Sequence, residues 1–397
     1  MTAPHVLRTE SLVAGYARTP FVKFTGAFAS IPATALGAHA ITAALARAGV
    51  AAEDVQYVVA GQVLQGGAGQ NPARQSAVGA GIPLTVPAMT LNAVCLSGTE
   101  AVAWAARLID YGEVDVAVAV GQESMSLAPH VWSARAGQRY GSIELLDTVA
   151  HDGLRDAFER RSMGESTEAG NGELALGRDA QDAFAAASHA RAAASADYLA
   201  EEIAPYTIAG KRGDTVVSVD DGVRADTTVE GLAGLRPAFS KDGTITAGNS
   251  SQITDGAAAL VLMSPAAAAA RGITGLATVE AHALVAGPDV RLHAQPADAI
   301  LAALAKTDDT VADLAVVEIN EAFASVGVHS TELLGVDAAI VNRNGGAIAL
   351  GHPIGASGAR IVGHLARQLH DLGPGTLGAV GICGGGGQGS AIVLRGL

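Results

Sequence analysis

The chain has 397 residues, a net charge of −14, 49% hydrophobic residues and only 4% aromatics. That length suits two or three domains around a large core, which Ala, Val, Leu and Ile must fill. The acidic balance argues against non-specific nucleic-acid binding, which needs a basic surface to displace counterions, but it leaves room for an anionic ligand at a local basic cluster or helix N-terminus.

In chain order, the first residues carry His5, Arg8 and Glu10 and lack a basic-then-apolar leader pattern. A soluble, cytoplasmic protein is the expectation. Residues 34–48 read as a helix and 57–60 as a strand. Residues 88–110 run strand, turn, helix through Asn92, Cys95 and Gly98, and 114–120 read as another strand. Residues 125–252 change character. Charge clusters (Asp152 to Arg161, Glu201 with Glu202), a turn signal at Lys211 to Asp214 and a helix expected over 179–199 mark a loop-rich insertion. Beyond it, 297–306 read as a helix, 315–319 as a strand, 338–372 as strand, turn, helix through Asn342, Gly345 and Gly358, and 377–382 as a strand.

The same order of elements thus recurs, with Asp54 and Asp313 259 positions apart and Asn92 and Asn342 250 apart. The expectation is an α/β fold of two related halves. Residues 1–124 with 253–275 form one half, 276–397 the other, and 125–252 the insertion. Two uncharged stretches reach membrane length, 78–99 and 377–394. The first is broken by Pro83 and Pro87 and the second carries seven glycines, so neither reads as a spanning helix.

The only cysteines, Cys95 and Cys383, stand 288 positions apart, which rules out a disulfide framework or a cysteine-rich zinc site. Cys95 lies where a β-rich run gives way to an all-round apolar, hence buried, helix. Unpaired N–H groups and the helix dipole at that point favour a thiolate, and a strand-to-helix turn is where other acyl-transfer enzymes hold their nucleophile. His352, before Pro353 in a segment with five glycines (342–358), can be held rigidly and take a thiol proton. Ser357 can cap the helix that follows. Cys383 precedes four glycines. The formal G-x-G-x-x-G match from Gly384 lacks the following helix of a dinucleotide fingerprint; a cysteine beside exposed backbone amides offers instead a proton carrier next to oxyanion donors. Asn320 ends a strand, where it can orient a water or serve a turn.

Together these four segments, with Ala14 to Pro20, Gly121 to Met125, Arg224 to Thr228 and Thr246 to Asn249, resemble the thiolase family over essentially the whole chain, most of all its bacterial acetyl-CoA C-acetyltransferase branch. The resemblance implies duplicated α/β halves in a five-layer αβαβα arrangement. It also implies condensation of two acetyl-CoA to acetoacetyl-CoA plus CoA, and the reverse thiolysis, through acyl-Cys95. Its roles are Cys95 as nucleophile, His352 as its activator and an enolate donor, Cys383 as the α-proton base, and Asn320 as holder of a water. The backbone N–H groups of Cys95 and Gly385 hold the acyl oxyanion. Arg224 is placed at the adenine nucleotide, Ser251 at the pantetheine amide, and Leu154, Met163, Phe239 and Phe323 along apolar walls. CoA and acyl-CoA are substrates; no metal, other cofactor, nucleic acid or membrane is implied. Residues 122–148 resemble the family's tetramerisation segment, implying a homotetramer. One departure stands out: many short-chain members have His-Met-Gly where this chain has Ser162, Met163 and Gly164. A 3-ketoacyl-CoA thiolase acting on longer chains is the alternative, and a non-catalytic CoA- or lipid-binding protein a remote one.

Overall fold

The computed structural model describes residues 11–397; the reading at His5, Arg8 and Glu10 lies outside the described residues. The first half comprises β1 (Leu12–Arg18), α1 (Ala33–Ala48), β2 (Tyr57–Gly61), β3 (Ala88–Leu91), α2 (Ser97–Asp110) and β4 (Val116–Glu123). The insertion follows with α3 (Met163–Glu173), α4 (Arg178–Ala194) and α5 (Ala196–Glu202), and β5 (Thr254–Met263) completes the half. The second half comprises β6 (Ala277–Ala286), α6 (Gln295–Leu304), β7 (Leu314–Ile319), α7 (Ala324–Leu334), α8 (Ser357–Leu372), β8 (Leu377–Gly384) and β9 (Gln388–Gly396).

Local sequence explains the boundaries. In α1, Leu36, Ala40, Ile41, Ala44, Leu45 and Ala48 recur at helical spacing and are buried. The helix stops at Gly49, whose left-handed backbone (φ 66) returns its N–H to Ala46 O and Leu45 O. The expected helix over 179–199 is two helices: Ser195 leaves helical geometry (φ −103, ψ 18), and its Oγ accepts a hydrogen bond from Asn344 Nδ2 at 2.8 Å.

The strands line up β7-β8-β9-β6-β1-β5-β4-β2-β3. Only β2–β3, β2–β4 and β7–β8 in this order are parallel. Each half reads outward from the middle in the same sequence of roles: β1-β5-β4-β2-β3 on one side, β6-β9-β8-β7 on the other. The expected strand near 338–342 is reduced to one parallel bridge, Val317 to Val341. That bridge holds the place β3 takes in the first half, so the duplication is visible in topology. Between strands, the halves are joined by two residue pairs, Leu12 with Thr278 and Val13 with Ala277.

This narrow join lets the two sheets face each other, with α2 and α8 between them. One core lies between α1 and the first sheet (Leu36, Ile41, Val58, Val118, Val261). A second surrounds the central helices (Val102, Ile361, Leu365, Leu260, Ile392), and a third lies beneath α6 (Ile300, Leu314, Val393). The layers therefore run helix, sheet, helix, sheet, helix. The insertion is pinned to the first half by buried Arg18, paired with Asp220 at 2.7 and 2.8 Å and with Glu202 at 3.1 Å. Removing one partner of such a buried pair costs about 3–5 kcal/mol. No helix among the described residues is long and apolar enough to cross a membrane.

The central helices touch backbone to backbone near their N-termini. A methyl on Gly98 would sit 2.5 Å from Ala359 N, and one on Gly358 2.3 Å from Thr99 N. Gly98→Ala should therefore force the helices apart and lower stability in urea by about 1–3 kcal/mol, the usual cost of overpacking. Gly172→Ala, where no atom lies within 4 Å, is the control and should be neutral.

Candidate active site

Cys95 sits on a strained turn between β3 and α2. The residue before it, Val94, has φ 52, a conformation that a β-branched side chain rarely adopts. Local hydrogen bonds hold it there. Val94 N donates to Asn92 Oδ1 and Ala93 N to Ser97 Oγ, both at 2.9 Å, while Ser97 Oγ donates to Val94 O at 2.6 Å. The turn presents the sulfur just ahead of α2. Burial pushes the Cys95 thiol up to about 12; the N–H groups of Gly385 and of Cys95 itself point at the sulfur and offset this only in part. Desolvation of the anion thus opposes the thiolate that the helix terminus favours.

His352 arrives from the second half, in the turn that leads into α8. Its Nδ1 lies 2.6 Å from Ser357 Oγ, which is also 3.1 Å from Pro353 O. Ser357 has one hydroxyl proton, and Pro353 O can only accept it. Ser357 Oγ then accepts from Nδ1–H, which leaves Nε2 as the basic nitrogen. Nε2 is buried without a partner among the described residues. Ser357 is therefore not a helix cap, as the sequence suggested; Ala356 precedes the helix without a side-chain cap. Burial, with Arg360 nearby, lowers the His352 pKa to about 4, so the imidazole is neutral at pH 7.

Cys383 is the penultimate residue of β8, 1% exposed. Burial first, then the charge of nearby Cys95, raises its pKa well above the ordinary thiol range. The glycines that follow form the hairpin turn between β8 and β9, with Gly386 and Gly387 at φ 84 and 71, and no helix follows as a dinucleotide fingerprint requires. This turn sets Gly385 against Val94 and Met163: a methyl there would meet Val94 Cγ1 and Met163 Sδ at 3.5 Å. Asn320 stands just past β7, at the carboxyl end of a strand parallel to β8. It is fully buried, and neither Oδ1 nor Nδ2 has a partner among the described residues. A buried amide left unpaired is costly unless something else completes it.

A cavity of about 1030 Å³ leads to His352 from the surface. Leu154, Met163, Arg224, Phe239, Ser251 and Phe323 all line it. Phe239 and Phe323 meet edge to face at 6.2 Å. Around it, Cys95 packs with Val63, Leu64, Leu154 and Ile354, and Cys383 with Phe323 and Met163. Neither cysteine lines the cavity itself, but its walls back onto both: Leu154 and Ile354 belong to the cluster around Cys95, and Met163 and Phe323 to the one around Cys383, whose thiol feels the charge of Cys95. Among the described residues no cluster of His, Cys, Asp or Glu is suited to a metal.

The sequence matches the family models "Thiolase, N-terminal domain" over residues 11–266 and "Thiolase, C-terminal domain" over 273–396. The chain belongs to the thiolase family. A relative from Mycolicibacterium smegmatis described as a probable acetyl-CoA acetyltransferase is 53% identical, over 97% of this chain and all of that one. The acetyl-CoA acetyltransferase of Shinella zoogloeoides is 44% identical over 98% of this chain and all of its own. The crystal structure of the Bacillus anthracis acetyl-CoA acetyltransferase superposes with a TM-score of 0.94 at 36% identity, covering 98% of this chain and 99% of that one.

Two residues of this thiolase carry positioning work that sequence reading did not assign. One is Ser357, described above. The other is Glu123, the last residue of β4, fully buried, which accepts hydrogen bonds from Val63 N, Leu64 N and Gly355 N at 2.9–3.1 Å. It ties the His352 segment to the first half. A carboxylate ending an eight-residue apolar strand was the available signal, since such groups are rarely buried without a task. Burial pushes Glu123 up to about 7 despite its three donors.

These values set a pH profile. Below about pH 4, His352 is protonated and cannot accept the Cys95 proton, so kcat/KM should fall there and not near 6.5. No limb near 8.5 is expected from Cys95. An inflection near pH 7 belongs to Glu123 and should vanish in Glu123→Gln. Ser357→Ala should move the acid limb and lower kcat about tenfold with little change in KM, through a wrongly poised imidazole; initial rates between pH 3.5 and 9.5 check each of these.

Proposed function

We infer that the protein condenses two acetyl-CoA molecules to acetoacetyl-CoA and free CoA, and runs the reverse thiolysis, through an acetyl group on Cys95. What supports this is a cavity lined by His352 whose walls also enclose both cysteines, Leu154 and Ile354 on the Cys95 side and Met163 and Phe323 on the Cys383 side, with His352 Nε2 and the Asn320 amide unpartnered among the described residues. The names of the full-length relatives support the same substrate.

The neutral resting site gives each proton a route. Cys95 passes its proton to His352 Nε2 as the sulfur bonds to the acetyl carbon. The oxyanion is held by the N–H groups of Cys95 and Gly385. Collapse breaks the bond to CoA, whose sulfur takes the Cys383 proton. Cys383 is then a thiolate beside an imidazolium. It removes an α-proton from the second acetyl-CoA, and the enolate oxygen accepts from His352 Nε2–H and from a water held by Asn320. The enolate carbon attacks acetyl-Cys95; the released Cys95 sulfur regains its proton from His352. Proton count and charge return to the start. Loss of one oxyanion donor in such a site typically costs about 2.7–4 kcal/mol.

Incubation with acetyl-CoA should add one acetyl group to Cys95, read by mass spectrometry. Cys95→Ser should abolish labelling. Cys383→Ser should keep it while condensation falls at least about a hundredfold; condensation by Cys383→Ser at the parent rate would remove Cys383 from its role. Ser162, at the cavity wall, caps α3 through a reciprocal bond with Glu165. Being smaller than the histidine of many short-chain members, it leaves space for longer acyl groups. Comparing kcat/KM for acetoacetyl-CoA and 3-ketooctanoyl-CoA decides between the short-chain reading and the longer-chain alternative, and preference for the C8 substrate would reverse ours.

A homotetramer is the assembly we propose. Between Leu127 and Leu146 the insertion leaves Trp132, Tyr140, Ile143 and Leu145 exposed, Tyr140 almost completely, and such an apolar surface marks an interaction site. Light scattering at micromolar concentration should give four times the chain mass; a monomer would reject the assembly.

A further inference from the structure

Residues 155–162 form a tight loop at the mouth of the cavity. Its anchor is Asp156, 2% exposed. Asp156 Oδ1 accepts from Phe158 N at 2.9 Å and Glu159 N at 2.7 Å. Its N–H donates to Arg161 O at 2.8 Å, its carbonyl accepts from Arg160 N at 3.0 Å, and Arg155 Nε donates to Arg160 O at 2.9 Å. Closed this way, the loop holds Arg160 at φ 58. Glycine adopts that backbone freely, whereas an L side chain is strained there. An arginine kept at such a position points to work done by its side chain.

Arg155, Arg160 and Arg161 line the cavity together with Arg224, against only two carboxylates, Asp147 and Glu165. Glu165 is already engaged by Ser162 N and Oγ, both at 2.8 Å. Among the described residues no ion pair forms to Arg155, Arg160 or Arg224, and Arg161 reaches Glu159 only at 3.9 Å. Elsewhere arginines such as Arg18, Arg178, Arg291 and Arg395 are closely paired with carboxylates. Four guanidinium groups without a close carboxylate partner thus surround one opening, on a chain of net charge −14.

We propose that Arg160 and Arg161, with Arg155, form a rim that grips the phosphates of the substrate's nucleotide end. This rests on the acyl-CoA reading above. Guanidinium groups match phosphate oxygens with paired N–H donors. These arginines are exposed, so each contact is modest and screened by salt. Their effect falls on capture of the substrate and its KM, remote from the sulfur chemistry.

Arg160→Gly is the informative variant, because glycine relieves the backbone strain while the charge is lost. Its Tm should not fall. The test compares kcat/KM for thiolysis of acetoacetyl-CoA and of acetoacetyl-pantetheine, each with its matching thiol. The ratio of the two should drop about three- to tenfold in Arg160→Gly and further in Arg160→Gly/Arg161→Ala, with a parallel loss of CoA affinity by calorimetry, and the gap to the parent should narrow between about 50 and about 500 mM salt. An unchanged ratio, or an equal loss on the pantetheine substrate, would overturn the rim. If the parent turns over neither thioester, the acyl-CoA chemistry is what fails, and the CoA titration of parent against variant then decides the arginines by itself.

Discussion

Everything at this site depends on how closely α2 and α8 approach each other. Gly98 and Gly358 let two backbones meet where any side chain would intrude below 3 Å. Cys95 lies just before one helix and His352 just before the other. The contact between helices therefore fixes how the Cys95 and His352 segments stand relative to each other. Glu123 reinforces it, since its carboxylate binds amides from both the first half and the His352 segment. A duplicated fold makes the arrangement simple to build: equivalent central helices come from the two halves, and pseudo-symmetric packing brings their N-terminal ends into one place.

The second organising constraint is dryness. Burial raises both thiols and lowers the imidazole, and so favours the uncharged form of all three groups. The polar groups of the site are already fixed: the amides of Cys95 and Gly385 at the Cys95 sulfur, and the imidazole Nε2 and Asn320 amide, which have no partner among the described residues. Such preorganisation is worth most where water is excluded. The apolar cavity walls supply that exclusion, while the arginines remain at the wet rim, where phosphates can keep much of their hydration.

Much of the fold was legible in the chain. The helix now bounded by Ala33 and Ala48, the strands at Tyr57–Gly61 and Leu314–Ile319, and the recurrence of elements across two halves follow from apolar periodicity and turn residues. Pattern and structure part where tertiary contacts override local preference. The segment near Val341 reads as a strand but forms one bridge, since only Val317 is offered as a neighbour. The helix around Ser195 reads as continuous, yet the backbone departs from helical geometry there, at the residue whose hydroxyl binds Asn344.

For the site, the sequence by itself determined the cast: one cysteine at a strand-to-helix turn, a histidine among glycines, a second cysteine before a glycine hairpin, an asparagine ending a strand. These identities are chemical and local, so one dimension carries them. Tertiary structure alone decided their state. The helix terminus favours a thiolate at Cys95, but desolvation is a property of everything packed around the sulfur and opposes it. Tertiary packing also decided that Ser357 serves His352 and not its helix, that Glu123 joins the halves, and that Arg160 is strained toward the cavity. Each depends on distances between segments far apart in the chain, which no local pattern encodes.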